Sequence, residues 1–110
     1  MLFAWDDLNR EHIAMHRVTP DEAEEVILRA EPPYPAEIAD RKLIVWGPTD
    51  SGLLLQVIYV LKNPDEVAYG SLSVEDWMTI ETGAVTKISR VIHAMELTST
   101  MKKRCRRRTR

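Results

Sequence analysis

With 110 residues, 45% of them hydrophobic and 29% charged, the chain has the size and composition of one folded domain. Its longest apolar stretch, Leu53 to Leu61, is interrupted by Gln56 and falls short of the roughly 20 residues that cross a bilayer. The opening Met-Leu-Phe-Ala-Trp-Asp-Asp lacks the basic-then-apolar order of a signal peptide, and the single Cys105 excludes an internal disulfide. The expectation is therefore a cytoplasmic protein with no membrane contact.

The net charge of −2 conceals a segregation. Residues 1–100 hold all 17 acidic but only 8 of the 15 basic residues, a net −9, while residues 101–110 carry +7. Lys102, Lys103, Arg104, Arg106, Arg107, Arg108 and Arg110 make that tail a counterion-releasing surface for a polyanion, and RNA is the expected partner. The alternative is a solvated tail that docks on the acidic body.

In chain order, Asp6 or Asp7 caps a first helix to about His16, with Leu8, His12 and Met15 on one face as its apolar side. Thr19-Pro20-Asp21-Glu22 is a capping box, and Ala23, Val26, Ile27 and Ala30 form the stripe of a second helix. Pro32, Pro33 and Pro35 end it. A hairpin follows, with Leu43–Trp46 and Leu53–Leu61 as strands around the turn Gly47–Gly52. Residues 62–86 form an acidic connection in which Ser73-Val74-Glu75-Asp76 starts a short helix. A third strand over about Ile88–Met95 alternates Ser89, Val91, His93 and Met95 on one face with Ile88, Arg90, Ile92 and Ala94 on the other. Thr98 or Ser99 then opens a basic helix. This order predicts an α+β domain: a small antiparallel sheet of three or more strands, packed on two N-terminal helices and followed by a basic C-terminal helix.

The pattern Trp5-Asp6-x-x-Asn9-x-x-His12-Ile13-Ala14-x-His16-x-Val18, followed by Thr19-Pro20-Asp21-Glu22, resembles the opening of BrnT-family toxins. The hairpin with Gly47 and Gly52, and Val91-Ile92-His93-Ala94-Met95-x-x-Thr98, resemble the family's later blocks, so the likeness runs the whole chain. It implies a RelE-like fold and a type II toxin that cuts messenger RNA without a metal. It also implies an antitoxin from an adjacent gene and assembly as a homodimer or a toxin–antitoxin heterotetramer. The chain departs from the family pattern at Leu53 and Met95, where many members have arginine. It also departs at Arg17, where they have glycine, and at Cys105, where a tyrosine is common. Residues 62–86 stand as an insertion. A toxin that has lost its ribonuclease and keeps only its partner contacts is the rival reading, and a plain nucleic-acid-binding module is a third.

Metal-free RNA cleavage needs a base, an acid and cations around the phosphate, and histidine suits the first two roles near neutrality. The chain has three histidines. His93, beside the family's Ala-Arg position, is the first candidate; a packed histidine bordering the core is the alternative. His12 and His16, one helical turn apart, are the others, set against a structural His12 and a helix-capping His16. Arg41 and Lys42, which open the first hairpin strand, and Arg90 on the third are candidates to replace the missing arginines. Trp5, Trp46, Trp77 and Tyr59 are candidates to stack on bases, with Trp46 and Tyr59 placed rather in the core. No Gly-rich phosphate loop, Ser–His–Asp order or paired zinc motif is visible, so no metal and no cofactor are expected.

Overall fold

Capping chemistry and turn residues divide the chain as a computed structural model shows it; residues 1–108 are described, with side chains through Arg104. The elements are β1 (Leu2–Phe3), α1 (Asp7–Ala14), α2 (Pro20–Leu28), β2 (Ala36–Ala39), β3 (Lys42–Pro48), β4 (Leu54–Lys62), α3 (Val74–Glu81), β5 (Ile88–Glu96) and α4 (Ser99–Arg108). The strands form one sheet in the order β1-β5-β4-β3-β2. This is an α+β fold, but the sheet is mixed and not purely antiparallel, because β1 pairs with β5 in parallel at Leu2–Ile88 and Phe3–Ser89.

The expected capping box on α2 is present: the Thr19 hydroxyl accepts from the Glu22 backbone N–H, and the Glu22 carboxylate accepts from the Thr19 N–H. Ala23, Val26 and Ile27 are buried against Val45, Leu55, Val57 and Tyr59 of the sheet and Ala94 of β5. Tyr59, placed in the core from its strand setting, is only 1% exposed. Two strands escaped the sequence reading: β1, of two residues, and β2, which follows the prolines and pairs with β3 through a tight turn at Asp40-Arg41. β2 is an edge strand, with Ile38 51% exposed. The β3–β4 turn closes where Gly52 takes φ +90 and the buried Thr49 hydroxyl accepts from the Leu53 N–H.

Two expectations are corrected. On α1 the face of Leu8, His12 and Met15 is not the buried one: Leu8 is 75% and Met15 78% exposed, whereas Asn9 and Ile13 point inward. The cause is a polar anchor. The Asn9 amide donates to the carbonyls of Ala4 and Val91, so α1 docks through Asn9 and turns Leu8 and Met15 to solvent. On β5 the simple alternation fails at a bulge: Tyr59 pairs with Val91 and Ile58 with His93, leaving Ile92 as the extra residue. Val91 and Ala94 are both buried, and His93 leaves the face of Val91 to stand in register with Ile58 and Ile44, away from α2.

The acidic 62–86 segment is ordered. It makes two 3₁₀ turns, Pro64–Glu66 and Tyr69–Ser71, and then α3, whose N-cap Ser73 accepts from the Asp76 N–H. A second apolar cluster of Ala4, Leu72 and Ile88, with Val67, Trp77 and Ile80, holds this segment to the β1–β5 end of the sheet. Among the described residues no helix is long and apolar enough to cross a membrane.

Candidate active site

Parallel pairing covers β5 only at Ile88 and Ser89, so its remaining edge would expose unpaired backbone. α1 fills that place. Asp6 caps the helix in a capping box with Asn9, and its carboxylate accepts from the Arg90 guanidinium at 3.1 Å, tying the helix start to β5. Burial by itself would raise the Asp6 carboxyl, but hydrogen bonds from the Asn9 N–H and from Arg90, together with the guanidinium's charge, outweigh it and leave the group below its ordinary value. Asn9 bonds the free Val91 carbonyl at 3.2 Å. Continuing along the same side of the helix brings His12, and then His16 in the turn that ends it, up to His93.

All three histidines of the chain therefore meet. Ring centroids are 5.4 Å apart for His16 and His93, 6.2 Å for His12 and His93, and 6.4 Å for His12 and His16. His12 and His16 are exposed and His93 is half-buried, so the cluster opens to solvent on one side. Arg17, next to His16, takes φ 60, which turns the chain sharply out of α1 and sets the His16 position. The His93 pKa lies below its ordinary 6.5, first because burial disfavours the cation and then because positive charge on His16 or His12 repels it. Near neutral pH His93 is therefore mostly the neutral imidazole, the form that accepts a proton.

This shift has a stability consequence. Because folding depresses the His93 pKa, the unfolded chain binds the proton more readily, and stability drops as pH falls from 6.5 through the folded-state value. Urea midpoints are expected to be lower at about pH 5 than at about pH 7.5, and the drop should be smaller in His93→Gln. Equal drops in both proteins would refute the assignment to His93.

The other sequence candidates separate. Arg41 does not join the cluster: it sits in the β2–β3 turn with φ 58, two strands from β5, and pairs with Glu66 at 3.1 Å. Lys42 pairs in register with Val60, at that same end of β3. Trp5 is buried and donates to Glu24, and Trp46 is half-buried and donates to Gln56. Trp77 stacks on Tyr69 at 5.6 Å. Of the basic tail, Lys102 is half-buried and bonds Glu96 at 2.9 Å, while Lys103 and Arg104 are exposed on α4. The side chains of Arg106, Arg107 and Arg108, and the whole of Arg110, lie outside the described residues. The α4 start agrees with the sequence, since the Thr98 hydroxyl accepts from the Met101 N–H. Sequence reasoning missed the roles of Asn9 and of the Asp6–Arg90 pair. The signal for the first was present in the Asp6-x-x-Asn9 spacing of a capping box; nothing local marks the second. Among the described residues no group of three His, Cys, Asp or Glu side chains is placed to hold a metal ion. No family model, curated protein or solved structure matches this chain.

Proposed function

We propose that the chain is a BrnT-type toxin with a RelE-like fold, a metal-independent endoribonuclease that cleaves messenger RNA and is restrained by a neighbouring antitoxin. The observation that carries this reading is the convergence of His12, His16 and His93 on the edge of β5. In such a reaction the ribose 2′-oxygen attacks phosphorus and the bond to the 5′-oxygen breaks, leaving a 2′,3′-cyclic phosphate and a 5′-hydroxyl. Neutral His93 takes the proton of the 2′-hydroxyl, and His16 or His12 gives one to the departing 5′-oxygen. Each group must come within hydrogen-bond reach of its oxygen, about 2.6–3.2 Å. Imidazoles with centroids 5.4–6.4 Å apart are spaced to serve the two oxygens of one phosphodiester.

Two further features support the reading. The left-handed backbone at Arg17 is the conformation that glycine supplies at a helix end, and glycine is what the family carries there. The basic α4 begins at Ser99, six residues along the chain from His93, and its exposed Lys103 and Arg104 would attract a polyanion.

One observation favours the rival reading, an interaction protein without cleavage. Arg41 and Arg90, two of the three residues (with Lys42) offered as substitutes for the missing family arginines, are held in ion pairs with Glu66 and Asp6. Purified protein incubated with messenger RNA in EDTA separates the two. Fragments ending in 2′,3′-cyclic phosphate are expected; intact RNA, together with capture of the neighbouring gene's product, would establish the interaction protein instead.

A further inference from the structure

A cavity of about 320 Å³ opens where the start of the chain, α1, α2 and α3 meet, away from the histidine cluster. Its lining includes Phe3, Trp5, Arg10, Glu24, Ser71 and Asp76. The volume suits a nucleobase with part of its sugar. Trp5 is buried in the core with Phe3 packed against it, so the cavity presents mainly polar groups. The Trp5 indole N–H donates to Glu24 Oε2 at 2.7 Å, which fixes that carboxylate and leaves its Oε1 without a hydrogen bond among the described residues. The Asp76 carboxylate and the Arg10 guanidinium likewise have no side-chain partner there, and neither carboxylate is within ion-pairing distance of Arg10. Three charged heads of both signs thus line one small cavity without neutralising one another.

We infer that this cavity is a binding site for a guanine base. The Watson–Crick edge of guanine places two donors, N1–H and the N2 amino group, beside one acceptor, O6. A carboxylate with both oxygens open, as at Asp76, takes the two donors, and a guanidinium, as at Arg10, donates to O6. The second hydrogen of the amino group has the open oxygen of Glu24 to meet. Adenine turns an acceptor, N1, toward the carboxylate and has no O6, so the same groups reject it. A free cation would satisfy the carboxylates and leave Arg10 facing like charge. The inference goes beyond the cleavage reading, because the cavity binds a base whether or not the histidines cut RNA.

The test is a calorimetric titration of the full chain with GMP and with AMP. These share the phosphate that the basic tail attracts, so their ratio reports the base. One GMP is expected to bind per chain, with AMP about tenfold weaker or more. Asp76→Asn, which replaces one acceptor oxygen by a donor, and Arg10→Ala, at an exposed position, are each expected to weaken GMP about tenfold while circular dichroism stays unchanged. Equal affinity for the two nucleotides, binding of neither, or GMP affinity unmoved in both variants overturns the inference. RNA cleavage is not read at any point, so failure here leaves the ribonuclease reading standing, and the reverse holds.

Discussion

His93→Ala is expected to lower RNA cleavage about 10²–10⁴-fold, the range of a lost general base, with the fold retained. Burial holds the His93 pKa below its ordinary value, and the residue stands on a strand that fixes its backbone. In the proposed mechanism His16 and His12 would share the acid role unequally by distance, His16 lying 5.4 Å from His93 and His12 6.2 Å. The His16→Ala loss is therefore expected to exceed the His12→Ala loss. The rate profile should be bell-shaped in pH for the native chain and should lose its acidic limb in His93→Ala, since that limb reports protonation of the base. A His93→Ala enzyme with native rate, or one whose loss tracks unfolding, would remove the base from the mechanism.

Asn9→Ala is expected to destabilise the protein by about 2–4 kcal/mol, measured as the shift in urea unfolding. Asn9 is 2% exposed and uses its whole side chain: the amide bonds the Ala4 and Val91 carbonyls and the oxygen accepts from the Asp6 N–H. Alanine would strand both carbonyls and open the capping box. Asn9→Asp is expected to be no better, because a carboxylate cannot donate to a carbonyl and brings a charge inside. A change below about 1 kcal/mol would mean that α1 is held by Ile13 alone and that the amide bonds contribute little.

What was legible in the sequence follows the range of the forces involved. The Thr19 capping box, the β3–β4 hairpin and the Thr98 start of α4 are set by neighbours a few residues away, and they stand where local chemistry put them. β1 and β2 are too short for an alternating pattern to form, and they become strands only because β5 and β3 offer them partners. The inward face of α1 defeats hydrophobic periodicity because a polar residue, Asn9, has the better docking site. Of the candidate site, His12 and His16 were readable as a pair from their spacing, whereas their meeting with His93 depends on the β5 bulge and the edge position of α1. Arg41 illustrates the converse: chemistry alone nominated it, and two intervening strand positions remove it.

The two borders of the sheet are unequal. One ends in a strand of only two residues, while β2 offers its outer backbone groups along Ala36–Ala39 with no strand beyond it among the described residues. A molecule with a single sticky side behaves like a one-ended connector. If two copies join through that side, each covers the other's longer open edge, and assembly by this route closes at a pair.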